Sequence, residues 1–118
     1  MRKGAAVLHG EDCFESLYEG LISVLSIGYE TRFNKGVLMF IDDHSFLNNS
    51  NVMTTILLEQ VNDSCRIEII SGGGGDGLFG LTLGNESRRV DKILTIVDQV
   101  CHIHSYKLTG YFSGNIRS

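Results

Sequence analysis

The chain has 118 residues and a mass of 13.0 kDa, with 42% hydrophobic and 20% charged residues, so it is long enough for one domain and too apolar for a disordered segment. Ten basic against fourteen acidic residues give a net charge of −4, which argues against nucleic acid as the main partner, because DNA-binding proteins carry a basic surplus. The longest clean apolar run, Val37–Ile41, has five residues against the roughly 20 that span a bilayer, and we expect no membrane partner.

The cysteines indicate the compartment. Cys13, Cys65 and Cys101 are odd in number and widely spaced, which is not the pattern of a disulfide framework, so we expect buried, reduced thiols. The apolar stretch from Ala5 to Leu8 is shorter than the roughly 7–15 residues of an export signal. The sequence therefore predicts a cytoplasmic protein that is a single domain over residues 1–118.

The strongest periodic signal lies between Asp12 and Gly28 and predicts a first helix. Asp12 and Glu15 have the spacing of a capping box, and Gly28 suits the position after the helix end. Gly20 costs about 1 kcal/mol relative to Ala inside a helix, so it marks a close approach to a neighbouring element. The apolar residues that repeat at helical spacing are Phe14, Leu17, Tyr18, Leu21, Ile22 and Leu25.

After this helix the apolar period changes to two, which predicts strands. Val37–Ile41 is typical of a buried strand, and Cys65–Ile70 alternates apolar and polar residues. Val52–Val61 fits either a strand or a helix face; the pair Thr54-Thr55 and the turn residues at 62–64 favour the strand. Phe79–Leu83 also alternates and is predicted as a strand.

The remaining elements complete a fold class. A second helix is predicted from about Glu86 to Cys101 or slightly beyond, and terminal strands at Lys3–Leu8 and Tyr106–Phe112. Strands joined by short turns between two helices imply an antiparallel sheet. The sequence thus predicts an α+β two-layer sandwich, with about four to six strands and two helices packed on one face.

A glycine-rich segment is the one candidate ligand site. It satisfies G-x-G-x-x-G, but a dinucleotide fingerprint needs a helix directly after the glycines, and the residues that follow alternate like a strand. Two interpretations stay open: a flexible hairpin connection, or a nest of backbone N–H groups for a phosphate or carboxylate. The candidate binding residues are Gly72, Gly73, Gly74, Gly75, Asp76 and Gly77.

Three polar clusters carry weaker hypotheses. Asp42-Asp43-His44 is predicted as a solvated loop, with acid–base chemistry as the alternative. In the segment 101–104, Cys101 and His104 on a helix, or His102 and His104 on a strand, would share a face, but a structural zinc needs four ligands and no second pair is present. Cys13 starts the first helix among acidic residues that oppose its activation. We therefore predict no catalytic residue, no metal and no cofactor.

The segment Cys65-Arg-Ile-Glu-Ile-Ile-Ser-Gly-Gly, followed by a short strand and by Gly84-Asn-Glu at the start of a helix, resembles a group of small bacterial αβ domains of unknown function. The resemblance covers about Val52–Cys101, and the extra glycines at Gly74 and Gly75 depart from it. It implies a strand at Val52–Val61 and a bacterial, cytoplasmic source, but no activity.

Two functional hypotheses remain. The first is a module that acts by binding, to itself as a homo-oligomer or to a small ligand or protein partner, because a sheet with helices on one face leaves the other face to be covered. The second is a small enzyme or sensor that binds an anionic, phosphate-bearing ligand at Gly72–Gly77, with Asp76, Asp42 or Asp43 as acid–base groups.

Overall fold

The computed structural model describes residues 1–45, 50–73 and 83–116, which form one antiparallel sheet and two helices. The strand order is β2-β3-β4-β5-β1-β6, which confirms the predicted α+β class. No helix in the described ranges is both long and apolar enough to cross a membrane. In chain order the elements are β1 (Arg2–His9), α1 (Cys13–Val24), β2 (Tyr29–Phe33), β3 (Gly36–Ser45), β4 (Ser50–Val61), β5 (Ser64–Gly73), α2 (Leu83–His104) and β6 (Lys107–Asn115).

The core lies between the helices and one face of the sheet. Alternate strand residues point to that face, and residues in register share it, as Ala6 of β1 does with Ile67 of β5. Both helices contribute an apolar stripe to the same layer. The largest fully buried side chains are Leu8, Leu17, Leu21, Val37, Met39, Ile56, Leu58, Ile67, Ile69, Val90, Ile93 and Leu94.

The two helices touch at a glycine, as the sequence predicts. A Cβ built on Gly20 of α1 would lie 2.8 Å from Cγ2 of Val100 in α2. That is closer than side chains pack, so the missing side chain lets the helices approach. The propensity cost of Gly20 is offset by this contact.

The N-cap position of α1 is Asp12, as predicted, but the predicted capping box and the predicted end of the helix are wrong. Asp12 takes a left-handed backbone conformation with φ of 58°, and its side chain makes no capping hydrogen bond with the described residues. The helix ends at Val24 rather than near Gly28, because Leu25 turns to an extended conformation and its side chain joins the core. Gly28 instead donates a backbone hydrogen bond to Phe40.

The ambiguous segment at 52–61 is a strand, and the strand predicted at Val37–Ile41 is longer than predicted. β4 pairs with β3 and β5 along its length. β3 continues through Asp42, Asp43 and His44 to Ser45, so the predicted loop there is wrong: these residues pair with β4, whose partners hold them extended. The edge strand β2 was not predicted.

The helix α2 starts earlier than predicted. Leu83 is its first residue, so the strand predicted over Phe79–Leu83 is wrong at Leu83. Alternation over five residues does not separate a short strand from the first turn of a helix. Residues 79–82 lie outside the described part of the chain.

Candidate functional site

The predicted glycine-rich site lies only partly within the described residues. Gly72 and Gly73 are the last residues of β5, where they pair with Met53 and Val52 of β4. The other four predicted residues, Gly74, Gly75, Asp76 and Gly77, fall outside the described ranges. The anionic-ligand hypothesis therefore stays a prediction.

The Cys101–His104 cluster is arranged for packing. α2 continues through His104, so Cys101 and His104 do lie on one helix. Cys101 is buried, however, while the His104 ring stacks on Tyr106 with centroids 5.2 Å apart. Within the described residues, no group of three or more His, Cys, Asp or Glu side chains is placed to hold a metal ion.

All three cysteines are free thiols buried in one region of the core. Burial raises the pKa of Cys65 to about 12, and it also raises the pKa of Cys13 and of Cys101. The Cys13 sulfur lies 3.6 Å from the carbonyl oxygen of Leu8 and 3.7 Å from that of Asp63. Because the thiolate is the nucleophilic form, these cysteines are poor nucleophiles at neutral pH.

A cleft of about 540 Å³ opens where β1 leads into α1, beside the β4–β5 turn. One wall is the segment between His9 and Glu15, and the opposite wall is formed by Gln60, Asp63 and Ser64. Four lining residues are acidic, namely Glu11, Asp12, Glu15 and Asp63, and none of the described lining residues is a lysine or an arginine. The cleft therefore favours a neutral or cationic occupant over an anionic one.

Hydrogen bonds link two lining residues of this cleft, Ser64 and His9, to Thr109 of β6. Ser64 Oγ lies 2.8 Å from His9 Nδ1, and His9 Nε2 lies 2.7 Å from Thr109 Oγ1. A neutral imidazole donates from one ring nitrogen and accepts at the other, so one of the two hydroxyls donates to His9. We name this the Ser64–His9–Thr109 chain.

The sheet explains why these three residues meet. Ser64 starts β5 and pairs with His9, the last residue of β1, while β6 lies on the other side of β1. His9 and Ser64 are 55 positions apart, and His9 and Thr109 are 100 apart. Sequence reasoning missed this chain because no local spacing connects its members.

Tyr106 holds the wall of the cleft in place. Its hydroxyl donates to the carbonyl oxygen of Glu11 at 2.7 Å and lies 2.9 Å from Ser16 Oγ. Its ring covers Gly10, where a Cβ would overlap the ring atoms. The segment between β1 and α1 is thus tied to the residue that precedes β6.

The sheet face opposite the helices, called the open face, carries an exposed apolar patch on β2, β3 and β4. Tyr29, Phe33 and Met53 are between 45% and 61% exposed, and Leu38 and Leu57 are register partners. Scattered exposed apolar residues are ordinary, but here apolar residues recur on one face of three neighbouring strands, with Thr31 and Thr55 among them. Such clustering is typical of an interaction surface. The apolar patch consists of Tyr29, Phe33, Leu38, Phe40, Met53 and Leu57.

Beside the patch, the open face is charged and internally paired. Arg66 lies 2.9 Å from Glu59 and 2.7 Å from Glu68, and Lys3 lies 3.1 Å from Glu68. Lys3 and Arg66 hold the pKa of Glu68 below its ordinary value. These charges neutralise one another across three strands, so they leave a polar border next to the apolar patch.

No protein-family model matches this chain, and no curated protein or solved structure is significantly similar to it. The resemblance to small bacterial αβ domains stays a prediction, and the functional argument depends on the chain's own residues.

Proposed function

We propose that the chain acts by binding, as a module that associates with a second copy of itself through the apolar patch of its open face. The observation that carries this proposal is the patch itself: its most exposed members lie on the same face of β2 and β4. Burying apolar surface contributes about 25 cal/mol per Å². Burying the patch against a second copy would therefore contribute more favourable free energy than burying any other part of this face.

The pairing of charges supports a copy of the chain as the partner. A two-fold axis through the patch sets the same residues against each other, so apolar residues meet apolar residues. The neighbouring ion pairs of Glu59, Arg66, Glu68 and Lys3 then fall at the rim, already satisfied. No partner of opposite charge is needed.

The patch alone is smaller than a standard interface. Strands are about 4.8 Å apart and rise about 3.3 Å per residue, so three strands of about eight residues give roughly 380 Å², whereas a standard stable interface buries about 800 Å² per partner. We therefore expect the dimer to cover part of the charged border of the open face as well. The free buried thiols support the cytoplasm as the location, since that compartment keeps thiols reduced.

Light scattering coupled to size-exclusion chromatography tests this proposal over a range of micromolar concentrations. We expect wild-type protein to give twice the chain mass of 13.0 kDa. The substitutions M53E and Y29E change exposed patch residues and should raise the dimer dissociation constant at least tenfold. The matched control is I103E, since Ile103 is a 73% exposed apolar residue of α2 outside the open face.

Two results would overturn the proposal. One is a strictly monomeric protein at several hundred micromolar. The other is a dimer that M53E and Y29E leave as tight as the I103E control does. Circular dichroism confirms that each variant is folded before its mass is interpreted.

A further inference from the structure

We propose that the cleft beside β1 is a second site, in which Ser64 is a nucleophile that attacks uncharged or cationic carboxylic esters and His9 is its base. The site goes beyond self-association. It lies at the ends of β5, β1 and β6, whereas the apolar patch lies on β2, β3 and β4. The two proposals can therefore fail independently.

The geometry of the Ser64–His9–Thr109 chain is that of an activated nucleophile. Such a site needs a nucleophile within hydrogen-bond reach of a base, and a third group that orients the base. Ser64 Oγ is 2.8 Å from His9 Nδ1, and His9 Nε2 is 2.7 Å from Thr109 Oγ1. With the imidazole proton on Nε2, His9 donates to Thr109 and accepts the Ser64 hydroxyl proton at Nδ1.

The reaction balances with water as its only co-reactant. As the Ser64 Oγ–carbon bond forms, the hydroxyl proton passes to His9 Nδ1; the ester carbon–oxygen bond breaks, and His9 returns the proton to the departing alcohol. Water then attacks the acyl carbon and gives its proton to His9. The Oγ–carbon bond breaks, Ser64 regains the proton, and the acid is released.

The cleft supplies the surroundings that this step requires. Ser64 and His9 both line it, so the pair opens onto a space large enough for a small ester. Cys13 and Phe14, in the first turn of α1, also line the cleft.

Charge defines the substrate class. The four acidic lining residues repel an anionic acyl or alcohol group. A neutral or cationic ester meets no such repulsion. Thr109 touches neither the acyl group nor the attacking oxygen, so it is a positioning residue.

The test is labelling of the full-length protein with an uncharged alkyl fluorophosphonate, which modifies activated serines, followed by intact-mass measurement and peptide mapping. We expect one label, on Ser64. S64A should abolish it, and H9Q, which keeps hydrogen-bonding capacity but cannot take up the proton, should slow it by roughly 100-fold. The control S23A removes an exposed serine of α1 and should change nothing.

The positioning role of Thr109 has its own readout. T109V should slow labelling, while T109S keeps the hydroxyl and should restore the wild-type rate. Hydrolysis of p-nitrophenyl acetate measured on the same variants should follow the same order.

Three results overturn the inference: no label on wild-type protein, a label on another residue, or labelling of Ser64 that H9Q leaves unchanged. The first two are read on the wild-type chain, so the outcome stands even if a variant fails to fold. A label at Ser64 in a protein that proves monomeric would uphold this site and reject self-association.

Discussion

Gly20 of α1 lies against Val100 of α2 so closely that a single added carbon would stand 2.8 Å from the Val100 methyl. The contact fixes how the two helices pack above the sheet. An alanine at position 20 would therefore have two opposing effects on stability: a gain from helix propensity and a loss from poorer packing against Val100.

We expect the sign of G20A to depend on Val100. Alanine is favoured over glycine inside a helix by about 1 kcal/mol, but here its methyl overlaps Val100, so in the wild-type background G20A should be neutral or destabilising. In the V100A background the overlap is removed, and G20A should stabilise by about 1 kcal/mol. Urea unfolding of the four proteins in this cycle measures the coupling. Stabilisation by G20A in both backgrounds would contradict the contact.

Tyr106 and Gly10 give a second coupled pair. G10A should destabilise by about 1–3 kcal/mol, because its Cβ overlaps the Tyr106 ring, and the cost should largely vanish in a Y106A background. Y106F keeps the ring and removes the hydrogen bond to Glu11, so it should cost only about 0.5–1.5 kcal/mol. Thermal and urea unfolding check both values, and a full cost of G10A in Y106A would refute the overlap.

The raised pKa of Cys65, about 12 in the folded chain, makes stability depend on alkaline pH. An unfolded thiol ionises near pH 8.5, so above that pH the unfolded state releases a proton that the native state keeps. The free energy of unfolding should therefore fall between about pH 8.5 and 12, by up to about 1.4 kcal/mol per pH unit from this thiol. C65A should flatten the decline in urea unfolding from pH 7 to 10, and parallel curves would count against the burial of Cys65.

Glu68 should contribute at the acidic end. Its folded pKa is lowered by Lys3 and Arg66, so its stabilisation is complete above the unfolded pKa of about 4.3 and is lost as the pH falls through the folded value. The side chains are partly exposed, so the contribution should stay below about 1 kcal/mol. The stability difference between wild type and E68Q should shrink from pH 6 to pH 3. E19Q, at an exposed position of α1, is the control, and an equal pH response in both variants would be the contrary result.

The fold could be predicted where local period and local chemistry decide it. The apolar stripe from Phe14 to Leu21 and the alternation of Cys65–Ile70 each indicate one element. Gly20 indicated a close approach to a neighbouring element, which the structure shows to be α2. The first cap of α1 could not be predicted in this way, because Asp12 has the right side chain but a left-handed backbone. Capping depends on conformation as well as on residue type.

The candidate sites depend on long-range pairing, which one sequence does not reveal. Taken one at a time, neither His9 nor Ser64 stands out in the sequence, because His9 ends a predicted terminal strand and Ser64 belongs to a predicted turn. Only the insertion of β1 between β5 and β6 brings them together with Thr109. The apolar patch was likewise foreseeable only as an uncovered face, because β2, which supplies Tyr29 and Phe33, was not predicted.

The position of β1 between β5 and the edge strand β6 limits when the sheet can be completed. The strands β2 to β5 form a meander of neighbours along the chain, so their pairing closes short loops quickly. β1 also pairs with β6, where Arg2 faces Asn115, and that ladder spans almost the whole chain. During synthesis one edge of β1 therefore stays bare until residues 107–115 have left the ribosome, and this is the interval in which the nascent chain is most exposed to aggregation and to chaperones.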